Sequence, residues 1–221
     1  MTHLHDIVFE APDSKTSQGP FPERGAHLAS ISPFQYDPLD LSSQMFRLLK
    51  VHPQRPDRHI EVTMWHSDMH TEYRCLSYVW GKSNDCQPIT LNGQLFNVRQ
   101  NLHDFLDHAS QSAISGPIWI DAVCIDQANV AERGHQVQRM GDIYSRAQEV
   151  MIWLGKHIKI RETGEWIRSP QYCNILNPFS EQVEDQLNAI CSHTCWSRAW
   201  IAQEILLQSN VSIVHPDANL P

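Results

Sequence analysis

Apolar and polar positions divide the chain into a punctuated leader and a patterned remainder. Over residues 1–40, Pro12, Pro20, Pro22, Pro33 and Pro38 alternate with Ser, Gly and Gln, and no apolar period lasts. That stretch reads as a flexible or loosely packed leader. The run FRLLKV (46–51) is the first compact apolar segment, and over 59–65 the residues Ile60, Val62 and Met64 alternate as on a half-buried strand. YRCLSYVWG (73–81) reads as a buried strand running into a loop at Gly81, and residues 89–98 as two short strands around Asn92-Gly93, a strong hairpin signal. Leu102, Phe105, Leu106 and Ala109 recur at helical spacing, which predicts a helix over 99–112, stopped by Gly116-Pro117. Residues 118–125 are nearly all apolar, as in a strand buried on both faces. A helix follows over 130–148, with Val137, Met140, Tyr144 and Ala147 as its stripe and Arg133, Gln136 and Arg139 on its polar side, read as a solvated face or, alternatively, an association surface. Residues 150–154 form a second buried strand ended by Gly155. Residues 156–180 look irregular, Val183, Leu187, Ile190 and Cys191 mark a helix, 196–207 a further helix, and 210–214 a last strand.

From residue 73 onward strands and helices alternate. This order predicts an α/β fold with a mostly parallel sheet flanked by helices and interrupted by a β-hairpin insertion. Composition then acts by exclusion. With 41% hydrophobic and 19% charged residues the chain is globular rather than disordered. Its 17 basic and 25 acidic residues give a net charge of −8, which argues against nucleic acid and anionic membranes as partners. No run approaches the roughly 18 apolar residues of a membrane span, and residues 1–15 lack the basic and apolar regions of a secretory signal. Cysteines stand at 75, 86, 124, 173, 191 and 195, three of them in apolar runs, which fits thiols of a reducing compartment and a cytoplasmic location.

Candidate chemistry is sparse. In an open parallel sheet, ligands bind beyond the carboxyl ends of the strands, which singles out Ser77, Tyr78, Trp80 and Gly81. Each also has an ordinary reading, as core aromatic or turn residue. Asp121 interrupts an apolar run and needs a partner if buried, for which Arg133 is a candidate; Asp126 or Asn129 reads as a helix cap. Trp200 and Glu204 are four apart on an expected helix and so share one face; the alternative has Trp200 in the core and Glu204 paired with Arg198 or solvent. Cys191, His193 and Cys195 form C-x-H-x-C, which is not a zinc pattern, so no metal site is expected. Walker A, GxGxxG, HExxH and GxSxG sequences are absent.

Five stretches together resemble the fungal heterokaryon incompatibility (HET) domain, in that family's order: FRLLKV (46–51), YRCLSYVWG (73–81), ITLNGQLFNVRQNLHDFL (89–106), residues 118–155 and WSRAWIAQEI (196–205). Departures are small; Asp126 stands where the family usually has Asn. The resemblance implies a HET domain over 41–221, shortened at its C-terminus, with a role in self/non-self recognition and regulated cell death. The family is itself similar to TIR domains, which share a flavodoxin-like sheet. YRCLSYVWG looks like the first strand and loop of a TIR domain, and Trp200-Ile-Ala-Gln-Glu204 like the W-x-x-x-E helix that carries the catalytic glutamate of NAD-cleaving members. That likeness makes Glu204 the candidate catalytic residue and Ser77, Tyr78, Trp80, Gly81, Asp121 and Trp200 the candidate NAD-binding residues. NAD would be the substrate, with a carboxylate stabilising the oxocarbenium-like state of nicotinamide–ribose cleavage. Homo-oligomers or other cell-death signalling proteins are the implied partners. Two alternatives stay open: a non-enzymatic, self-associating signalling module, and an inactive shortened family member.

Overall fold

The computed structural model of the chain describes residues 31–112, 114–156, 188, 190–198, 201, 204, 207–216 and 218–220. The apolar run of β1 (Phe46–Val51) pairs antiparallel with β2 (Glu61–Ser67), whose Ile60-Val62-Met64 alternation turns Val62 and Met64 inward and Thr63 outward. β3 (Arg74–Tyr78) is buried on both faces from Cys75 to Tyr78. β4 (Cys86–Leu91) and β5 (Gln94–Arg99) form the expected hairpin, with positive φ at both Asn92 and Gly93 as a two-residue turn of this hand requires. The Asn92 side chain also binds Met64: its Oδ1 accepts from the backbone N–H at 2.7 Å and its Nδ2 donates to the carbonyl at 2.8 Å. The hairpin is thereby fastened to β2, which β4 joins in parallel. α1 (Gln100–Gln111) buries the predicted stripe of Leu102, Phe105, Leu106 and Ala109.

β6 (Ile118–Trp119) follows, then a single turn, α2 (Asp121–Cys124), then α3 (Val130–Gln138), α4 (Met140–Arg146), β7 (Glu149–Trp153), β8 (Val211–His215) and β9 (Ala218–Leu220). Among the described residues these strands make one mixed sheet in the order β5-β4-β2-β1-β6-β3-β7-β8-β9. The neighbours β2–β4, β3–β6, β3–β7 and β7–β8 are parallel and the other pairs antiparallel. The fold is thus mixed α/β.

The connections matter more for function than the count of strands. From β3 the chain returns as β6 on one side; from β6 it crosses and returns as β7 on the other. Strand order reverses about β3, and α/β sheets bind ligands at the carboxyl ends of the strands at such a point, here those of β3 and β7. Gly81 and Gly155 lead the chain away from these two ends with φ of 77° and 82°. Asn101 of α1 clamps both loops: its Nδ2 donates to the Val79 carbonyl at 2.6 Å, and its Oδ1 accepts from Trp153 Nε1 at 3.0 Å. A Cβ at Gly155 would lie 3.2 Å from that same Oδ1, so this position needs glycine both for its left-handed backbone and for the close approach.

Three expectations are corrected. The strand expected over 118–125 pairs only at Ile118 and Trp119. Asp121 then accepts the N–H of Ala122 at 2.7 Å and starts the turn α2, whose Val123 and Cys124 still enter the core. A continuous apolar run reports burial rather than period, so a buried turn can look like a strand. The helix expected over 130–148 breaks at Arg139, whose ψ is −1°. Nor is its polar side a solvated face. Gln136 is buried and donates to the Met45 carbonyl at 3.1 Å, while Arg139 donates to the carbonyls of Met45 and Gln44 at 3.0 and 2.8 Å. These bonds anchor the helices to the strand that enters the sheet. Residues 32–37, within the stretch read as leader, also pack on the domain. Leu95 N–H donates to Ser32 O and Phe34 N–H to Leu95 O, both at 2.9 Å, and Phe34, Tyr36 and Phe96 meet edge to face. The stretch 157–180, and with it Val183 and Leu187, lies outside the described residues.

An ion pair that no motif announced joins these pieces. Arg47 of β1 and Glu132 of α3 are 1% and 2% exposed, with Nη1 2.6 Å from Oε1 and Nη2 3.0 Å from Oε2. Arg47 also donates to the carbonyls of Cys124 and Asp37 and lies over the Tyr36 ring. Glu132 accepts in addition from the N–H of Asp126 at 2.7 Å.

Candidate functional site

Three elements converge at the carboxyl end of β3. β3 ends in Ser77 and Tyr78, both buried, where a loop position had been expected. The 3-10 turn Thr194–Ser197 is capped by the His193 ring, which accepts from the Cys195 N–H. It delivers Arg198 in extended backbone; Ile201 and Glu204 beyond it are helical. Glu204 is fully buried, and Ser77 Oγ donates to its Oε2. Arg198 grips both oxygens, Nη1 to Oε2 at 3.2 Å and Nη2 to Oε1 at 3.1 Å, and Nη1 also donates to Ser77 Oγ at 3.1 Å. Ser77, Arg198 and Glu204 therefore form a closed triangle of charge-assisted hydrogen bonds. The pairing of Glu204 with Arg198, one of the two readings of this glutamate, is present.

Asp121 stands beside the triangle, at the end of β6. Trp80 Nε1 donates to its Oδ2 at 3.0 Å, and Gln127 donates to its backbone carbonyl at 2.9 Å. The cation acting on its charge is Arg198, where Arg133 had been expected; the Arg133 guanidinium donates to the Gln127 carbonyl. Burial, and to a lesser extent the nearby Glu204, push the Asp121 carboxyl up to about 6, against the opposing pull of Arg198, Trp80 and the Ala122 N–H. Burial alone would lower Arg198, but the carboxylates of Glu204 and then Asp121 more than offset it and hold the guanidinium above its ordinary value. Tyr78 and Tyr144, the latter donating to the Leu76 carbonyl at 3.2 Å, are held well above the ordinary phenol range, first by burial and then by Asp121 at Tyr78 and by Glu204 and Asp121 at Tyr144, so both stay neutral.

The shift at Asp121 has a testable sign. Its folded value of about 6 exceeds the ordinary 3.8, so between these values the native state holds a proton that the unfolded chain has lost. The stability due to this group is complete below the lower value and is lost as pH rises through the upper one. In urea unfolding, Asp121→Asn is expected to gain on the native protein by roughly 2–3 kcal/mol between pH 4 and pH 7. A stability difference that stays constant over that range would contradict the assignment.

Of the other candidate residues, Trp80 is half-buried under the Arg99 guanidinium, 5.2 Å from its ring, and Arg99 also donates to the Gly81 carbonyl at 2.8 Å. Gly81 itself is exposed and apart from the triangle. Trp200 lies outside the described residues. Asn129 caps α3 by accepting the Glu132 N–H at 3.1 Å. Cys191 is exposed and Cys195 buried, and no group of three His, Cys, Asp or Glu among the described residues is placed to hold a metal ion. Nor is any helix among them long and apolar enough to cross a membrane. Asn101 and the Arg47–Glu132 pair escaped the sequence reading, and Tyr144, read as core, also donates to the Leu76 carbonyl beside the site. One signal did exist for Arg47: a guanidinium inside an apolar run requires a buried partner.

What the arrangement offers chemically is a hydroxyl, a guanidinium and two carboxylates beside an indole. These groups suit ribose hydroxyls, phosphates and a flat cationic ring.

Comparison with known proteins bears on the family and not on the ligand. The profile of the family described as Heterokaryon incompatibility protein (HET) matches residues 73–204. That span includes Ser77, Trp80, Asp121, Arg198 and Glu204. The chain is similar to Heterokaryon incompatibility protein 6, OR allele, of Neurospora crassa, with 28% identity over 205 residues. The match covers 84% of this chain and 28% of that protein, so the chain spans less than a third of its relative's length. No solved structure matches the chain.

Proposed function

The chain belongs to the heterokaryon incompatibility (HET) family, and from that premise we propose that it acts in fungal self/non-self recognition and in the regulated cell death that follows the fusion of incompatible hyphae. The reaction proposed is cleavage of the nicotinamide–ribose bond of NAD, in the cytoplasm, by a self-associated form of the chain. One observation carries this reading: Ser77, Arg198 and Glu204 converge beneath the carboxyl ends of β3 and β7, where strand order reverses and α/β sheets bind nucleotides. The order β6-β3-β7-β8 corresponds to 2-1-3-4 in a flavodoxin-like sheet, which supports a flavodoxin-like and TIR-like reading of this half of the fold.

In this mechanism the C1′–N bond breaks and its electron pair passes to the ring nitrogen, so nicotinamide leaves neutral without needing a proton. The positive charge left on the ribose faces the Glu204 carboxylate, which stabilises it. Water then adds at C1′ and loses its proton to the carboxylate or to solvent. Ser77 and Asp121 offer polar contacts to the ribose, Trp80 and Trp200 offer rings for stacking, and Tyr78 and Gly81 shape the wall and mouth.

A second reading is favoured by a different observation. Glu204 has no exposed surface and both its oxygens are engaged, as in a structural ion pair. On that reading the chain is a self-associating signalling module without catalysis.

Expression in a fungal host separates the two. The native chain is expected to arrest growth with a fall in cellular NAD, and Glu204→Ala to abolish both. Arrest without a fall in NAD would reject cleavage in favour of the signalling module.

A further inference from the structure

The triangle is unequal in its access to solvent. Glu204 and Ser77 are wholly buried, whereas the Arg198 side chain retains 19% exposure and so forms the outer face of the cluster. Its guanidinium holds a carboxylate through two parallel bonds, and the same planar fork fits two oxygens of a phosphate equally well. Arg198 also differs in its support. Ser77 is fixed in a central strand paired on both sides, and Glu204 is helical, but Arg198 lies in extended backbone after a 3-10 turn. Among the described residues no sheet hydrogen bond holds it, and its side chain is the one of the three that reaches solvent. Two carboxylates, Glu204 and Asp121, act on this one guanidinium. A ligand carrying both phosphates and a cationic ring would satisfy all three, the phosphates taking the arginine while the ring faces the released carboxylate.

We infer that Arg198 is the phosphate-recognising residue of this site, and that its ion pair with Glu204 is a closed state opened when a nucleoside diphosphate group takes the guanidinium. The inference rests on the NAD reading above and adds to it both a specificity residue and the reason Glu204 is covered. The exchange makes and breaks only ion pairs and hydrogen bonds. It also makes an unusual demand: the Glu204 carboxylate competes with the ligand, so neutralising it must strengthen phosphate binding while ending catalysis.

Titration calorimetry on the full chain tests this with ADP and, separately, with inorganic pyrophosphate. Glu204→Gln is expected to bind ADP about tenfold more tightly than the native protein, and Arg198→Gln at least about tenfold more weakly. Thermal unfolding of each variant identifies those that fold. Pyrophosphate matching ADP would place recognition in the phosphates alone; ADP binding alone, still dependent on Arg198, would add the nucleoside. Equal ADP affinity in Glu204→Gln and the native chain would overturn the closed state, and undiminished binding by Arg198→Gln would overturn the assignment. Nicotinamide release by the native chain is followed in parallel. Release without the Glu204→Gln gain rejects the closed state and keeps cleavage; the gain without release keeps Arg198 as the phosphate residue and rejects cleavage.

Discussion

Glu132→Ala is expected to remove about 3–5 kcal/mol of folding stability, enough to leave much of the chain unfolded at moderate temperature. The reason is location. Both side chains of the Arg47–Glu132 pair are almost without solvent contact, so the substitution strands a buried guanidinium rather than releasing it to water. It also leaves the Asp126 N–H without the carboxylate it donates to. The pair joins β1 to α3, and through the carbonyls of Asp37 and Cys124 it reaches the segment ahead of β1 and the turn α2. Its loss therefore loosens four pieces of chain together. Urea unfolding followed by circular dichroism measures the effect. A loss below about 1 kcal/mol, the range of exposed pairs, would show that the pair does not organise the domain.

That pair illustrates where sequence reasoning stops. The strands at 59–65, 73–81 and 150–154, the hairpin at Asn92-Gly93 and the stripe of α1 were legible because each rests on a local signal: alternation, turn chemistry or helical spacing. The extent of β6 was not legible, because Val123, Cys124 and Ile125 are as apolar in a buried turn as in a strand. Nor was the burial of Gln136, which has the pattern of a solvated residue and is held inside by a carbonyl 91 residues earlier in the chain. The site divides in the same way. Ser77 and Asp121 could be placed at the strand ends, and Glu204 beside Arg198, from local spacing. That Ser77 meets both Arg198 and Glu204 depends on the crossing from β6 over β3 to β7, which no local pattern encodes. Asn101 was hidden for the same reason, since its partners come from two separate strand ends.

The second large effect concerns the reaction. Glu204→Gln keeps the shape of the side chain and can still hydrogen-bond Ser77 and Arg198, so its effect on folding should be small beside that of Glu132→Ala. What it removes is the negative charge facing the ribose as nicotinamide departs. Loss of a preorganised electrostatic stabiliser of this kind lowers turnover by about 10²–10³-fold. A structural role for Glu204 predicts the opposite division, a lowered melting temperature with no turnover to lose. The deciding measurement is nicotinamide release from NAD by the purified chain at high local concentration, native against Glu204→Gln, with melting temperatures recorded alongside. Release by the native protein, reduced at least about a hundredfold in a variant that melts close to it, is the result expected. Release that survives the substitution, or none from an assembled native protein, would contradict the assignment of Glu204 as the reacting carboxylate.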